Sequence, residues 1–259
     1  MKLSQLKIDP EFQSKIPPLQ FEEEQQLEQN IIAEGRLLNP IITWNGYILD
    51  GHTRYRILKK HGFIKFEVEE IQLANKYEAL AWICKNQLGR RNLSPERKKF
   101  LLGKEYESTK LAVGGQPGNC NKVNRCDQND HIDSEKRTCE RIAVEHGVGS
   151  ATVRRAEKYS QGIDAAEEAV PGAQEEILTG RIKATDAQIA ALPAIPKEER
   201  PAILDELRKE KGKRNENLLS RLKPERPPPK SAPPKPPEPP QNEEPAAPEP
   251  VTPSPPEEE

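Results

Sequence analysis

A seven-residue segment, Asp50–Arg56, combines a glycine, a histidine and two arginines in an order that suits phosphate binding. The segment follows an apolar strand pattern and opens a helical one, and a helix N-terminus offers free backbone N–H groups and a positive dipole end to an anion. Gly51 allows close backbone approach, and Arg54 and Arg56 can donate charge-assisted hydrogen bonds. The pattern singles out no catalytic residue. The candidate phosphate-binding residues of the segment are Gly51, His52, Thr53, Arg54 and Arg56.

A second constellation, residues 139–158, reads CERIAVEHGVGSATVRRAEK and has the pattern of a helix-turn-helix. That motif needs a small residue in its first helix, a glycine at the turn and a branched apolar residue in its second helix, and Ala143, Gly147 and Val153 stand at those offsets. The second helix would place its cationic side chains against phosphates and base edges in the major groove. Ser150 is expected to cap that helix. The candidate DNA-binding residues are Ser150, Thr152, Arg154, Arg155 and Lys158.

Each constellation also has a purely structural interpretation. A glycine with two arginines at a helix start is at least as often a turn with solvated side chains, and a helix pair with a basic face can be a plain helical hairpin. Local charge favours DNA binding in the second case, because residues 85–158 contain 16 basic and 10 acidic side chains, a net charge of +6.

The first 90 residues mix helix and strand patterns. A helix is predicted from Glu22 to Glu34 and ends at Gly35. Two apolar, β-rich runs then flank Asn45-Gly46, which is a strong signal for a two-residue hairpin turn. A short helix follows the hairpin, a strand is predicted around residues 66–71, and another helix follows. This order favours an α+β domain rather than repeated βαβ units.

Beyond residue 91 the strand patterns disappear. Ser94 and Pro95 are a cap and a first helical residue, and the remaining periodic segments are helical. The Gly-, Asn- and Asp-rich stretch from Gly114 to Asp133 is predicted to be a loop. We therefore predict an α+β nucleotide-binding domain over 1–92 and a helical DNA-binding domain over 93–212, with the helix-turn-helix at 139–158. A disordered Pro/Glu-rich tail is predicted over 213–259.

Because the tail is acidic, the net charge of the whole chain differs in sign from the net charge of the residues before the tail. Sixteen of the 26 prolines lie in the last 36 positions, which contain no aromatic residue. Eight acidic and three basic residues give that stretch a charge of −5, so the preceding 223 residues carry +3 although the whole chain carries −2. Such a composition cannot bury enough apolar area to offset its ordering entropy, which is why disorder is predicted there.

Composition also predicts a cytoplasmic protein without a membrane span. No apolar run approaches the roughly 20 residues that a bilayer requires, and no secretory signal pattern opens the sequence. The four cysteines form no CxxC pair, which indicates a reducing compartment. The spacings of Cys120, Cys126, His131 and Cys139 match no common zinc pattern, so no metal site is predicted.

Taken together, these residues resemble the ParB family of chromosome and plasmid partition proteins, whose N-terminal domain shares its fold with sulfiredoxin. The resemblance covers roughly residues 3–195 in the family's order, and the helix-turn-helix falls where the family places its DNA-reading module. The motifs that carry it are Asn39–Ile42, Tyr47–Leu49, Gly51-x-x-Arg54-Tyr55-Arg56, and Asn86 with Arg90 or Arg91 before Leu93-Ser94-Pro95.

The resemblance implies a ligand, partners and an activity. The ligand would be CTP, with Asn86 and Arg90 joining the phosphate site, and the activity would be nucleoside-triphosphate hydrolysis. Lys85 stands where the family has a metal-binding glutamate, which argues against Mg²⁺ and against metal-assisted hydrolysis. The implied partners are double-stranded DNA, a second copy of the chain in a homodimer, and a Walker-type partition ATPase.

Two other classes of function stay open from the sequence. The first is an enzyme of the same fold, either a nuclease or a phosphotransferase, and His52 beside Asp50 is compatible with phosphoryl transfer. The second is a plain helix-turn-helix transcription regulator whose first domain binds no nucleotide. Nucleotide binding and nucleotide consumption would separate these classes from a partition protein.

Overall fold

The computed structural model describes residues 3–90, 92–114, 130–209 and 216–222, without the side chains of 130–137 and 216–217. The described residues all belong to one unit, Met1–Pro224. Most of the predicted disordered tail therefore lies outside the described residues.

A three-stranded sheet organises the N-terminal part. Strands β1 (Ile41–Trp44) and β2 (Tyr47–Asp50) form the predicted antiparallel hairpin, and β3 (Val68–Glu70) pairs with β1 in parallel, so the strand order is β2-β1-β3. The turn residues Asn45 and Gly46 have φ angles of 48° and 77°, as a two-residue turn with two left-handed positions requires. The hairpin prediction is confirmed.

Helices cover both faces of this sheet. Successive side chains of a strand point to opposite faces, and Ile48 packs in a cluster with Tyr55 and Ile57, whereas Leu49 packs in another with Leu80 and Ile83. The α+β fold predicted for this part is confirmed. The helices here are α1 (Pro10–Ser14), α2 (Phe21–Glu34), α3 (His52–Lys60) and α4 (Lys76–Leu88).

The second half is helical throughout its described residues. Ser94 Oγ accepts a hydrogen bond from the Arg97 backbone N–H, which confirms the predicted cap of the next helix. The predicted loop is shorter than expected, because helical backbone already begins at Asp130. The helices are α5 (Pro95–Ala112), α6 (Asp130–Glu145), α7 (Ser150–Ala169), α8 (Ala173–Leu178), α9 (Asp186–Ala191), α10 (Arg200–Arg208) and α11 (Glu216–Leu219).

The start of the predicted tail requires a correction. Residues 216–222 lie inside the segment predicted to be disordered, but they form α11 and a 3₁₀ turn, Ser220–Leu222. Leu222 is 1% exposed and belongs to the core cluster of α7 to α10. The leucine side chains of this stretch pack against helices that lie earlier in the sequence, and that burial stabilises its helical backbone. Composition alone does not reveal such packing.

The long helix α7 lies at the centre of the helical part, and two glycines allow its close contacts. A Cβ added at Gly103 of α5 would overlap the Ala156 carbonyl oxygen, and one at Gly162 would overlap the Ile189 carbonyl oxygen. These positions therefore place α5 and the α9 segment against the backbone of α7.

Replacing Gly103 with alanine is expected to destabilise the protein, even though alanine favours a helix by about 1 kcal/mol over glycine. Overpacking costs about 1–3 kcal/mol, and a backbone carbonyl cannot move aside as a side-chain tip can. We expect a loss near the upper end of that range, or roughly 6–12 °C in melting temperature for a protein of this size. Thermal unfolding followed by circular dichroism measures it.

The matched control is Gly62→Ala, because no atom lies within 4 Å of a Cβ built there. Gly62→Ala should leave the melting temperature within about 2 °C of the wild type. Equal melting temperatures for the two variants would contradict the close α5–α7 contact.

Candidate functional site

The Gly51 turn joins β2 to α3. Gly51 is the N-cap residue of α3 and has a φ angle of 98°, in the left-handed region that favours glycine. A Cβ built on Gly51 would lie 3.0 Å from Arg54 Nη2, so any larger residue would crowd the guanidinium as well. No side chain caps the first turn of α3. The end of the helix therefore keeps backbone N–H groups for an anion.

Two arginines meet at this turn, but they hold a carboxylate of the protein. Arg54 Nη2 donates to Asp50 Oδ2 at 2.8 Å, and Arg90 Nη2 donates to Asp50 Oδ1 at 2.7 Å. Arg54 Nη2 also donates to the Pro40 carbonyl oxygen at 3.1 Å. Asp50 and Arg90 are forty residues apart in sequence, and the structure brings them together because α4 packs beside β2. Asp50 thus lies where two guanidinium groups converge, as they would on a phosphate.

Two residues of this turn, His52 and Arg54, have buried polar atoms without a partner. Among the described residues, such side-chain atoms belong to three residues: His52 Nδ1 and Nε2, Arg54 Nε, and Gln87 Nε2 and Oε1. Leaving a buried donor or acceptor unsatisfied costs about 1–3 kcal/mol each. Such a cost indicates groups whose hydrogen bonds a ligand or a water molecule completes.

His52 is a neutral side chain at neutral pH. It is 6% exposed, and burial lowers the pKa of its imidazole to about 4, although the Asp50 carboxylate acts in the opposite direction. The ring can therefore offer one donor and one acceptor rather than a positive charge. His52 does not add to the cationic character of the turn.

The other predicted phosphate-site residues lie further out. Arg56 is exposed and pairs with Glu24 Oε1 at 3.2 Å, and its Nη2 lies 3.5 Å from Thr53 Oγ1. Asn86 is exposed on α4, whereas its neighbour Gln87 is fully buried. The sequence analysis missed Gln87. Its signal was its place on the apolar stripe of α4, one helical turn after Ile83 and Cys84.

Lys85 stands at the position where the resemblance to ParB would place an acid, and its side chain is already paired with a carboxylate. It forms an ion pair with Glu145 at the end of α6, and His146 Nε2 lies 2.8 Å from Glu105 Oε2. In the part of the chain with described side chains, Glu105, Glu145 and His146 form a group whose potential ligand atoms lie within 4.8 Å of one another. A cation there would have to compete with Lys85 and with the His146–Glu105 contact.

Helices α6 and α7 are joined by a tight turn, residues 146–149. Gly147 has a φ angle of 64°, and the Val148 N–H donates to the Ala143 carbonyl oxygen at 2.9 Å. Ala143 and Val153 are buried in one cluster. Cys139 Sγ donates to the Ser150 carbonyl oxygen at 3.2 Å, which links the two helices. This cysteine is buried and belongs to the packing of the helix pair.

Ser150 does not cap α7, contrary to the sequence prediction. The N-cap residue is Gly149, whose extended backbone (φ −77°, ψ 148°) follows the left-handed Gly147, and no side chain caps the helix. Ser150 is therefore the first helical residue and is partly buried. The tight turn moves the helix start one residue earlier than the serine cap would require.

The outer face of α7 carries cations that have no ion-pair partner among the described side chains. Val153, Ala156 and Tyr159 are buried, and the exposed residues of the same segment include Thr152, Arg154, Arg155 and Lys158. No side chain in the described residues forms an ion pair with Arg154, Arg155 or Lys158. By contrast, Glu157 on the same helix pairs with Lys110 of α5. Arg154, Arg155 and Lys158 are thus accessible, and their charge can meet an external polyanion.

Comparisons with solved structures identify the fold. A Pnob8-like ParB-N domain matches 86% of this chain and 96% of its own length, with 16% identity and a TM-score of 0.50. The C-terminally truncated chromosome-partitioning protein ParB from Caulobacter crescentus, complexed to the centromeric parS site, matches 78% of this chain and 89% of its own, with 16% identity and a TM-score of 0.35.

The first likeness shows that this chain has a ParB-N-like α+β fold, as the sequence predicted. No protein-family model and no curated protein matches the sequence. Among the described residues, none of the helices is long and apolar enough to span a membrane.

Proposed function

We propose that this chain, with its ParB-N-like fold, is a ParB-like DNA-binding protein of plasmid or chromosome partition or of a related regulatory process. The observation that carries the proposal is the exposed face of α7, where Arg154, Arg155 and Lys158 have no described counter-ion. The α6–α7 pair acts as the helix-turn-helix, and α7 enters the major groove. Salt-dependent affinity for duplex DNA is the direct consequence, because cations that contact phosphates release counter-ions.

Titration of the full chain into duplex DNA at several salt concentrations tests this proposal. We expect log K to fall linearly with log salt, with a slope near −0.9 for each phosphate contacted, and therefore steeper than about −3 if α7 and its neighbours bind. Fluorescence anisotropy with a labelled duplex measures it. Absence of binding even at about 50 mM salt would overturn the proposal.

We also propose that the Gly51 turn binds the phosphates of a nucleotide. Support comes from the two guanidinium groups that converge there and from the uncapped start of α3. A triphosphate would replace the Asp50 carboxylate as the partner of Arg54 and Arg90. The ParB resemblance suggests CTP as this nucleotide.

Mg²⁺ is not part of this proposal. The carboxylate at the turn, Asp50, already accepts from two guanidinium groups, and Lys85 takes the place of the family's acid. The residues present therefore favour phosphate binding over metal-assisted hydrolysis. Homodimerisation and a Walker-type partner ATPase stay predictions from the sequence.

A further inference from the structure

Gln87 has no evident role in the stability of the fold. Its side chain is 0% exposed, and both its amide nitrogen and its amide oxygen lack a hydrogen-bond partner. A buried amide without partners carries the full desolvation penalty of its two polar groups, and an apolar side chain of the same shape would avoid that penalty. The neighbouring core residues Leu80 and Ile83 show that α4 uses apolar residues on its buried surface.

The backbone of Gln87 is hydrogen-bonded to the arginine whose side chain reaches the Gly51 turn. Its backbone carbonyl oxygen accepts from the Arg90 N–H at 2.9 Å, and the Arg90 side chain donates to Asp50 at 2.7 Å. Gln87 therefore lies one helical turn before the arginine that reaches the turn. On the other side of the turn, His52 follows Gly51 directly, and its two ring nitrogens are also unpartnered.

The chemistry of these two side chains differs from that of the arginines. Arg54 and Arg90 offer only donors and positive charge, which suit phosphate oxygens. An amide offers a donor and an acceptor side by side without charge, and its acceptor oxygen would be repelled by an anion. A neutral ligand edge with an adjacent donor and acceptor satisfies both atoms, and a nucleobase has such an edge.

We propose that Gln87 is a specificity-determining residue that pairs with the base edge of the bound nucleotide, and that His52 is a second neutral contact. This inference rests on the proposed nucleotide site and assigns different roles to its arginines and to its neutral side chains. The arginines bind the phosphates of any nucleotide, whereas Gln87 distinguishes one base from another. A site that uses buried polar groups in this way rejects ligands that leave them unpaired.

The test is Gln87→Met, which keeps the length of the side chain and removes its donor and acceptor. Calorimetric titration of CTP, ATP, GTP and inorganic tripolyphosphate into the wild type and the variant measures the affinities. We expect the wild type to prefer one nucleotide, and the variant to lose roughly 10-fold or more of that preference. Tripolyphosphate has no base, so its affinity should stay within about 2-fold. The melting temperature of the variant without ligand should be equal or higher.

Ser160→Ala is the matched control, because Ser160 is also 0% exposed but has a partner, the Glu157 carbonyl oxygen at 2.9 Å. It should leave base preference unchanged. A Gln87→Met variant that keeps the wild-type base preference would overturn the role of Gln87 while the phosphate site stands. If neither nucleotides nor tripolyphosphate bind the wild type, the proposed nucleotide site fails and this inference fails with it. A wild type that binds all nucleotides and tripolyphosphate equally would overturn only the base-reading role.

Discussion

Simultaneous replacement of Arg154, Arg155 and Lys158 with alanine is expected to lower duplex-DNA affinity by about 10²- to 10³-fold at 0.1–0.15 M salt. Each phosphate contact that is lost should reduce the salt slope by about one, and each base contact should cost about 1–3 kcal/mol at its own base pair. The three side chains are exposed, so their removal should not disturb the buried face of α7. Fluorescence anisotropy across a salt series measures both quantities.

The control is a second triple variant with the same change in net charge. Lys59, Lys60 and Lys65 are exposed in the N-terminal part, outside the proposed DNA-binding surface. Their replacement with alanine should leave the salt slope within about half a unit. If both triple variants weaken binding equally, DNA is attracted by overall charge, and the assignment of α7 as recognition helix is wrong.

Local signals in the sequence were sufficient for the elements that carry the site. Gly35 ends α2 in the left-handed conformation, Asn45-Gly46 forms the hairpin turn, and Ser94 caps α5. In each case a few adjacent residues determine the backbone, because caps and tight turns satisfy their hydrogen bonds within four or five positions. The Gly51 turn was predictable for the same reason.

Features that depend on distant residues could not be predicted in this way. The parallel pairing of β3 with β1, the Asp50–Arg90 contact and the burial of Leu222 each join segments far apart in sequence. The burial of Gln87 was also missed, because a glutamine in an amphipathic helix is expected on its polar face. Composition correctly marked residues beyond 212 as poor in aromatics, but it could not show that leucines in 218–222 reach the core of α7 to α10.

The two arginines of the turn differ in burial and in their number of acceptors. Arg54 is more buried than Arg90, with side chains 20% and 43% exposed, and it also donates to the Pro40 carbonyl oxygen. A group held by two acceptors is fixed in place before a ligand arrives, so less conformational freedom is lost on binding. Arg54 is therefore expected to contribute more to phosphate binding than Arg90.

Arg54→Ala is accordingly expected to weaken nucleotide and tripolyphosphate binding by roughly 10²-fold. Loss of hydrogen bonds to a charged group costs about 1.5–3 kcal/mol, and the variant also leaves the Asp50 carboxylate with one counter-ion where the phosphates must bind. Lys60→Ala, which removes a charge from the exposed side of the same helix, should change affinity less than about 2-fold. Calorimetric titration with tripolyphosphate measures the effect without any contribution from a base.

The double variant Asp50→Asn, Arg54→Ala separates loss of a phosphate contact from loss of structure. Arg54→Ala alone leaves a buried carboxylate partly unpaired, which can destabilise the turn, whereas asparagine at position 50 removes that charge. We expect the double variant to recover the melting temperature but to bind tripolyphosphate several-fold more weakly than Asp50→Asn alone. If the double variant binds as well as Asp50→Asn, Arg54 serves only to neutralise Asp50, and the phosphate-binding role belongs to Arg90 and the start of α3.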